Sequence, residues 1–364
     1  MRVLFVSRGP IRLPLAPELA RKWDAVRDQL EFRVLAGGEG SDDEFHLVRP
    51  VAGIDGAAFY ATLPARIARE LRDFGPGAVV AQGAHETAAA LAGRRLAGVK
   101  TAVIADVHGD WRAPTRLYGS PLRALLSPAA DRIADAALRR ADGVRTVTGY
   151  TTRLARQLGV EPADEFPAYM DFESFLAAPV APLPDEPRAL FVGVLERYKN
   201  VDGLAEAWRR ASPRIPEASL HIVGRGSLAR VMASLVGDFP SQTSWTEHLA
   251  QPEVAQALDA STCLVLPSRS EGMGRVVIEA FCRGRGVIGS RVGGIPDLID
   301  DGVNGLLVDP GDTNGLAEAL IRLLSDRELA EGLGRGARES AGRWTISPEE
   351  FARRLRELVE SVVG

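Results

Sequence analysis

The feature that most limits how this chain can fold is a regular alternation of two kinds of segment along its whole length. Short runs rich in β-branched and apolar residues, of the length of buried strands, alternate with longer stretches of helical periodicity. Strands separated by helix-length segments pair in parallel through right-handed crossovers. The alternation therefore predicts an α/β protein in which both halves of the chain form doubly wound parallel sheets.

The predicted strands are Arg2–Ser7, Glu31–Ala36, His46–Arg49, Ala78–Ala81, Thr101–Val107, Val144–Val147, Ala189–Leu195, Leu220–Val223, Thr262–Leu266, Gly286–Ser290 and Gly305–Val308. The predicted helices are Pro17–Leu30, Ala57–Phe74, Glu86–Leu96, Ser127–Arg140, Asp202–Ala211, Leu228–Leu235, Pro252–Ala260, Arg275–Arg283 and Thr313–Leu324.

The length of the chain predicts two domains, because 364 residues exceed what one hydrophobic core usually supports. The segment Ala177–Arg188 carries four prolines in twelve residues and has the composition of a linker. We therefore expect domains at 1–178 and 187–345, with a final helix at 346–364 that packs back toward the first domain. Two such domains would face each other across a cleft, where the carboxyl ends of the strands meet and ligands bind.

Composition narrows the class of protein. Hydrophobic residues make up 46% and charged residues 25%, and the net charge of −4 excludes a disordered chain or a nucleic-acid-binding polycation. No apolar run is long enough for a signal peptide or a membrane-spanning helix, so we expect a soluble, cytoplasmic protein. Cys263 and Cys282 lie in apolar patterns and are predicted to be buried thiols in a reducing compartment.

The sequence lacks the motifs of several common enzyme classes. There is no GxxxxGK[ST] loop, no GxGxxG after the first strand and no GxSxG elbow, which disfavours P-loop nucleotidases, dinucleotide dehydrogenases and α/β-hydrolases. The five histidines have no metal-ligand spacing and no DxD pair occurs. The sequence therefore predicts no metal and no cofactor.

The most informative stretch is LVLPSRSEGMGRVVIEA, Leu264–Ala280. It reads as a buried strand, a glycine-containing loop and a helix that starts near Gly274. Glycines allow the backbone to approach a ligand, and a helix N-terminus presents N–H groups to an anion. Two carboxylates at such a site, Glu271 and Glu279, would repel a bare phosphate but suit the hydroxyls of sugars that flank one.

This stretch resembles the donor-site signature of retaining glycosyltransferase family 4, which has the GT-B fold. The resemblance extends from about residue 188 to 325 and is weaker in the first domain. It rests on four further segments: Phe191–Leu195 followed by Lys199–Asp202, Leu220–Gly226, Gly293–Pro296, and Asp301–Val308, with Asp297 in place of the family's usual Glu.

The resemblance implies that the second domain binds a nucleotide-diphosphate sugar and the first binds the acceptor. Glu271 would contact the transferred sugar and Glu279 the ribose hydroxyls. The backbone of Gly272, Met273 and Gly274 would contact the phosphates. Lys199 would serve the pyrophosphate, and it is one of three lysines in the chain, beside Lys22 and Lys100.

One position departs from the family. The arginine that usually follows the glycine of the pyrophosphate loop is replaced by Val194. Arg197, two residues before Lys199, and Arg275, at the start of the donor helix, are the candidates to supply the missing cation, although Arg275 could also be a solvated first-turn residue.

The first domain offers a second group of candidates. His108 follows a buried strand at its carboxyl end, where the resemblance places a histidine near the sugar and the acceptor. Gly9 corresponds to a glycine-containing loop that faces the donor, and Asp110 either orients acceptor hydroxyls or caps the segment after it. Arg8 and Arg12 are candidates for a charged acceptor.

The segment Trp111–Arg145 holds seven arginines and three aspartates, interleaved with Leu117, Tyr118, Leu122, Leu125 and Leu126. A basic amphipathic stretch can rest on anionic lipid, so we expect either peripheral membrane contact at the inner face of the cell membrane or a solvated helix.

These features together predict a retaining, metal-independent glycosyltransferase that moves a sugar from a nucleotide-diphosphate sugar to a hydroxyl acceptor. Three alternatives stay open: a GT-B sugar phosphorylase, a GT-B epimerase, and a non-catalytic subunit that binds nucleotide sugars. No nucleic-acid partner is expected.

Overall fold

The computed structural model describes residues 1–49, 55–112 and 121–364, and the side chains of all of these except 55–57 and 121–127. The chain divides into two units, Met1–Tyr169 with Ile346–Gly364, and Met170–Thr345. Each unit contains a parallel sheet. The predicted α/β fold with two doubly wound, Rossmann-like sheets is confirmed.

In the described part of the first unit, the strands join in the order β3-β2-β1-β4-β5-β6-β7. Their bounds are β1 Arg2–Arg12, β2 Glu31–Glu39, β3 Phe45–Val48, β4 Ala78–Gln82, β5 Ala102–Val107, β6 Gly143–Thr146 and β7 Asp164–Glu165. The helices between them are α1 Pro17–Arg27, α2 Asp55–Asp73, α3 Ala84–Ala97, α4 Pro121–Leu138 and α5 Gly149–Gln157.

In the second unit the strand order is β10-β9-β8-β11-β12-β13. The strands are β8 Arg188–Val192, β9 Ser219–Val223, β10 Thr243–Thr246, β11 Cys263–Leu266, β12 Gly286–Ser290 and β13 Gly305–Val308. The helices are α6 Glu173–Leu176, α7 Val201–Ala211, α8 Ala229–Asp238, α9 Gln251–Asp259, α10 Arg275–Cys282, α11 Ile295–Leu298, α12 Thr313–Ser325 and α13 Arg327–Ala341.

Apolar strands build the core of each unit. Every residue of β11 and β12 is buried, which is what a parallel strand covered by helices on both faces requires. The carboxyl ends of β8 and β11 are adjacent in the second sheet, and those of β1, β4 and β5 are adjacent in the first. These two edges carry the residues that the sequence singled out.

Strand β1 is longer than predicted. It continues past Ser7 to Arg12, with an irregularity that sets Ser7 opposite Ala36 and Ile11 opposite Gly38. Gly9 therefore lies in the irregular part of a strand and not in a loop after it. The edge strand β10, which is mostly polar, and the short strand β7 were not predicted. The helices α5, α6, α11 and α13 were not predicted either.

The predicted linker is not a free connection. The chain passes from the first unit to the second at Tyr169–Met170, and the whole of Ala177–Arg188 lies in the second unit. Two buried arginines hold this segment by its carbonyl oxygens: Arg283 donates to Ala178 and Pro179, and Arg285 to Ala181 and Pro182. The second unit therefore begins earlier than position 187.

The last helix, α14 (Pro348–Val363), belongs to the first unit. Its buried side chains Phe351, Leu355 and Val359 pack in the same cluster as Val3, Phe32 and other residues of β1 and β2. The first unit therefore consists of two segments of the chain, and the whole second unit lies between them in the sequence.

Candidate functional site

The loop after β8 packs against the loop after β9 through backbone hydrogen bonds. Gly193 donates its backbone N–H to the carbonyl of Val223 at 3.0 Å, and Leu195 donates to Arg225 at 2.9 Å. A Cβ atom on Gly224 would lie 1.9 Å from the carbonyl oxygen of Gly193, so only glycine fits there. A 3₁₀ turn, Arg197–Lys199, then leads into α7. This packing fixes where Lys199 stands.

The loop after β11 carries Glu271 and is held by a pair of glycines from the loop after β12. A Cβ on Gly293 would lie 1.8 Å from the carbonyl oxygen of Glu271, and one on Gly294 would lie 2.2 Å from that of Gly272. The N–H of Gly294 donates to the carbonyl of Glu271 at 3.3 Å. The Gly-Gly pair therefore lets two loops meet backbone to backbone and fixes the position of Glu271.

Lys199 and Glu271 come together at this edge of the sheet. The ammonium of Lys199 forms an ion pair with Oε2 of Glu271, and both side chains are about six-sevenths buried, at 14% and 15% exposure. The hydroxyl of Ser268, which is fully buried, lies 3.4 Å from the same oxygen. Two residues that are 72 positions apart in sequence thus form one polar centre.

Glu279 lies in the first turns of α10, and a guanidinium holds it. Nε of Arg275 donates to Oε1 of Glu279 at 2.8 Å, and its NH2 donates to the carbonyl of Asp171 at 3.2 Å. Burial raises the pKa of Glu279, and the charge of Arg275 opposes that rise. Gly274, with φ of 81°, caps the helix without a side-chain hydrogen bond, so the first N–H groups of α10 have no side-chain cap.

The structure separates the two candidates for the missing cation. Arg275 is engaged with Glu279 and is therefore not merely solvated. Arg197 is exposed, and no ion pair of its side chain is recorded within the described residues. Val194 is 44% exposed in the same loop. A third arginine, Arg225, which the sequence did not suggest, is exposed on the adjoining loop.

In the first unit, His108 lies just beyond the end of β5. Its Nε2 is 2.9 Å from Oδ2 of Asp106, and its Nδ1 is 3.4 Å from Nε2 of Gln82. The other oxygen of Asp106 accepts from NH1 of Arg145 at 2.5 Å. Burial by itself would raise the pKa of Asp106, but Arg145 and His108 outweigh it and hold that pKa well below its usual range.

Gln82, which lies beside His108, is also hydrogen-bonded toward Gly9. The N–H of Gly9 donates to the hydroxyl of Ser7 at 3.0 Å, and that hydroxyl donates to Oε1 of Gln82 at 2.7 Å. Two hydrogen bonds and the 3.4 Å contact between Gln82 and His108 therefore connect Gly9 to His108 within one unit, through Ser7 and Gln82, which the sequence did not mark.

The three acceptor candidates Asp110, Arg8 and Arg12 have different surroundings. Asp110 accepts from the N–H of Arg112 at 2.9 Å, which is a local turn. Arg8 lies over the ring of Tyr60 at 5.8 Å, and Arg12 is exposed at the end of β1.

The arginine-rich stretch lies partly outside the described residues. Leu117 and Tyr118 are not described, nor are the side chains of Leu122, Leu125 and Leu126. Arg145, which belongs to the stretch by sequence, is 1% exposed and is therefore unavailable to a membrane. Within the described ranges, no helix is long and apolar enough to cross a membrane.

No cluster of three or more His, Cys, Asp or Glu side chains that could hold a metal occurs in the described part of the chain. Cys263 and Cys282 are buried, as predicted, and burial raises the pKa of Cys263 to about 12 and that of Cys282 to about 11.

Asp106, Gln82 and Arg145 are the polar residues that sequence reasoning missed. Asp106 is the one charged residue within the apolar run Thr101–Val107, two positions before His108. A carboxylate inside a buried strand needs a partner, and this was a usable signal. Its partner Arg145 lies on the neighbouring strand, and only the strand order shows that.

Two family models match the chain. The model described as "Glycosyl transferase 4-like domain" covers residues 15–166, and "Glycosyl transferases group 1" covers residues 186–326.

Two of the curated relatives match over less than half of the chain. A sulfoquinovosyl transferase of Arabidopsis thaliana is 33% identical over 164 residues, which are 44% of this chain and 31% of that protein. An N-acetyl-α-D-glucosaminyl L-malate synthase of Bacillus anthracis is 34% identical over 151 residues, 42% of this chain and 39% of the relative. The chain thus spans between about a third and two fifths of the length of these relatives.

Two solved structures match over nearly the whole chain. A sucrose-phosphate synthase of Thermosynechococcus elongatus has a TM-score of 0.76 at 20% identity, covering 99% of this chain and 98% of that one. The Anabaena protein HepE, solved in complex with UDP, has a TM-score of 0.74 at 17% identity, covering 99% and 100%. At these identities the likeness shows the fold.

Proposed function

Because the chain belongs to the group 1 glycosyltransferases of the GT-B fold, we propose that it transfers a sugar from a nucleoside diphosphate sugar to a hydroxyl acceptor with retention at the anomeric carbon and without a metal ion. The observation that carries this proposal is the polar centre of the second unit. An ion-paired lysine and glutamate, Lys199 and Glu271, stand in the loops after two adjacent strands. A second carboxylate, Glu279, is held at the start of α10.

Each part of this centre suits one part of such a donor. The N–H groups at the start of α10 suit the diphosphate, because a helix N-terminus carries about half a positive charge. Glu279 suits the ribose hydroxyls, since a buried carboxylate gains a hydrogen bond from each hydroxyl that it accepts. Glu271 suits a hydroxyl of the transferred sugar, and Lys199, beside it, suits the phosphate that departs.

In the proposed reaction the bond between the anomeric carbon and the diphosphate oxygen breaks, and the bond to the acceptor oxygen forms on the same face. The proton of the acceptor hydroxyl passes to the departing phosphate. No protein nucleophile is needed, so the protein acts by electrostatic stabilisation of the diphosphate. The absence of a DxD pair from the sequence supports a reaction in which lysine, arginine and helix N–H groups replace a metal ion.

The acceptor is proposed to bind the first unit near His108. Relatives include a D-inositol 3-phosphate glycosyltransferase and α-maltose-1-phosphate synthases, whose names contain phosphorylated compounds. The exposed cations Arg8 and Arg12 on the extended β1 support an anionic acceptor for this chain.

The donor is tested by thermal shift with UDP, GDP, ADP and their sugars. A ligand at about 100 times its dissociation constant adds roughly 2.7 kcal/mol to stability. We expect one nucleotide to raise the melting temperature of the wild type and to lose most of this effect with Glu279→Gln. A shift with none of them, together with sugar 1-phosphate formation from inorganic phosphate, would favour a phosphorylase.

The reaction is tested with the nucleotide sugar selected in this way. Proton NMR of the product should show the anomeric configuration of the donor, and turnover should survive EDTA. An inverted product would contradict retention. Loss of turnover in EDTA that Mg²⁺ or Mn²⁺ restores would contradict the metal-free site.

A further inference from the structure

We propose that Asp106, held by Arg145, is a positioning residue that fixes the proton of His108 on Nε2, so that Nδ1 is the atom offered to a substrate hydroxyl. The tautomer follows from the structure of the first unit alone. The part that concerns substrate rests on the proposed function.

The direction of the hydrogen bonds determines the tautomer. A carboxylate that is ionised can only accept, so the nitrogen 2.9 Å from Asp106 must carry the proton. On the other side, Oε1 of Gln82 accepts from the hydroxyl of Ser7, which turns the amide nitrogen of Gln82 toward Nδ1. An amide nitrogen can only donate, so Nδ1 must be the acceptor. The hydrogen bond to Asp106 therefore requires the tautomer with the proton on Nε2, and the longer contact with Gln82 agrees with it.

Asp106 is held as a carboxylate by a fixed guanidinium. Arg145 is 1% exposed, lies 3.8 Å over the ring of Phe166, and donates from NH2 to the carbonyls of Phe166 and Pro167 at 2.9 Å each. Its NH1 is left for Asp106. The ammonium of Lys22 adds a further positive charge that acts on Asp106.

A buried ion pair of this kind is weak evidence for stability, because desolvation of both charges offsets their attraction. The position of the Asp106–Arg145 pair in the fold says more about its role. The pair lies beneath the carboxyl ends of β5 and β6, directly below the histidine that the family resemblance singles out. This location favours a role in holding His108.

Nδ1 is the nitrogen left for a substrate, because the His108 side chain is 35% exposed and its Nε2 is engaged with Asp106. The contact of Nδ1 with Gln82, at 3.4 Å, is longer than a normal N–H···N hydrogen bond, whereas the contact of Nε2 with Asp106, at 2.9 Å, is normal. A hydroxyl of the sugar or the acceptor can therefore donate to Nδ1 in place of Gln82, while Asp106 keeps the ring in position.

The first unit contains a matched control. His46, Glu70 and Arg33 form another histidine–carboxylate–arginine group: Nδ1 of His46 lies 2.6 Å from Oε1 of Glu70, and NH1 of Arg33 lies 3.2 Å from Oε2. The Glu70 side chain is 9% exposed and that of Asp106 is 13% exposed. Glu70→Gln thus removes a comparable carboxylate from a histidine that has no proposed role.

The tautomer is measured directly by ¹⁵N NMR of the imidazole nitrogens in the wild-type chain of 364 residues, which has five histidines, with His108→Gln to assign the resonances. We expect a protonated Nε2 and an unprotonated Nδ1 for His108, and a loss of this preference in Asp106→Asn. A proton on Nδ1 in the wild type, or an unchanged preference in the variant, would overturn the proposal whether or not the variant is stable.

The role in transfer is measured with the same variants. Asp106→Asn should lower kcat by about 10- to 100-fold, within the range of a lost proton-positioning contact, and leave the KM for the nucleotide sugar within about threefold. Glu70→Gln should leave both unchanged. Equal losses in both variants, or no loss in Asp106→Asn, would overturn the proposal. A wild type with the expected tautomer but no transfer from any nucleotide sugar would instead refute the proposed function.

Discussion

At the scale of single residues, the two glutamates of the second unit are held by different cations. Glu271 is paired with Lys199, and both belong to loops. Glu279 is paired with Arg275 one helical turn away, so its partner moves with it. A ligand that takes Lys199 for its phosphate changes the surroundings of Glu271 but leaves the Glu279–Arg275 pair intact. We therefore expect substitution of Glu271 and substitution of Glu279 to have different effects on binding and on catalysis.

We expect Glu279→Gln to weaken nucleotide binding more than it slows transfer, because ribose contacts exist before and during the reaction alike. Glu271→Gln should mainly lower kcat. Isothermal titration with the nucleoside diphosphate and steady-state kinetics separate the two effects. An unchanged dissociation constant for Glu279→Gln would show that this residue does not bind the ribose.

Lys22 gives a prediction of pH dependence. Burial lowers the pKa of this half-buried lysine from 10.5 to about 8, with Asp106 raising it and Arg145 lowering it further. Since the folded-state pKa lies below the unfolded-state value, the ammonium costs stability below pH 8, and the cost disappears as the pH rises to 10.5. The wild type should gain roughly 1–3 kcal/mol relative to Lys22→Met over this interval.

The measurement is urea-induced unfolding of the wild type and Lys22→Met at pH 7 and pH 10. Lys100→Met is the control, because Lys100 is an exposed lysine of the same unit. The difference in the free energy of unfolding between Lys100→Met and the wild type should not depend on pH. A wild type that gains no stability, or loses stability, relative to Lys22→Met between pH 7 and pH 10 would contradict the lowered pKa.

At the scale of helices and strands, the loops after β8 and β11 decide how the diphosphate is held. A nucleoside diphosphate sugar carries about two negative charges and the departing group develops a third, whereas a helix N-terminus offers about half a positive charge. Lys199 supplies one more. A further cation is needed, and Val194 cannot provide it.

We expect that cation to be Arg197, because it is exposed in the same loop as Lys199, while Arg275 is engaged with Glu279. Arg197→Gln should cost about 2–4 kcal/mol of transition-state stabilisation, measured as kcat/KM. Arg275→Gln should cost less. Arg225→Gln, which alters an exposed arginine on the adjoining loop, is the control and should be nearly silent. If Arg197→Gln left kcat/KM unchanged while Arg275→Gln or Arg225→Gln lowered it strongly, Arg197 would not be the additional cation.

The strands and helices show how much of the fold could be predicted from the sequence. Buried strands and their loops were found, because an apolar run ended by glycines has few other interpretations. Helix α13 was missed because Gly332, Gly334 and Gly336 disfavour a helix. In the structure, a Cβ on Gly334 or Gly336 would lie 2.5 Å from the carbonyl of Gly284 or 2.1 Å from that of Val303, so these glycines permit close packing.

Within the candidate site, the residues in a local motif were predictable and their partners were not. Glu271, Glu279 and Lys199 stand in recognisable segments. The pairing of Lys199 with Glu271, and of Asp106 with Arg145, depends on which strands are neighbours, and the sequence alone does not give strand order.

At the scale of the whole molecule, the chain crosses between its two units at Tyr169–Met170 and again at Thr345–Ile346. The proline-rich segment after the first crossing looks like a linker in sequence because it has no periodicity. In the structure it is fixed to the second unit, since Arg283 and Arg285 donate to its carbonyls and are each 1% exposed. Composition shows that such a segment is irregular, but buried partners decide whether it is mobile.

This attachment can be tested with Arg285→Ala. Arg285 donates to the carbonyls of Ala181 and Pro182 in the segment, and to those of Leu258 and Asp259 at the end of α9. Its removal leaves these carbonyls without their donor and creates a cavity. We therefore expect a loss of about 2–4 kcal/mol in the free energy of unfolding and faster proteolysis within residues 177–187.

The control is Arg327→Ala. Arg327 also donates to carbonyls of the segment, those of Leu183 and Pro184, but its side chain is about half exposed, at 51%. Water can replace an exposed donor, so this variant should lose less than about 1 kcal/mol. Nucleotide affinity should survive in both variants, because Arg285 precedes β12, at the opposite edge of the sheet from Glu271 and Glu279. If Arg327→Ala proved as damaging as Arg285→Ala, burial of the guanidinium would not be what holds the segment.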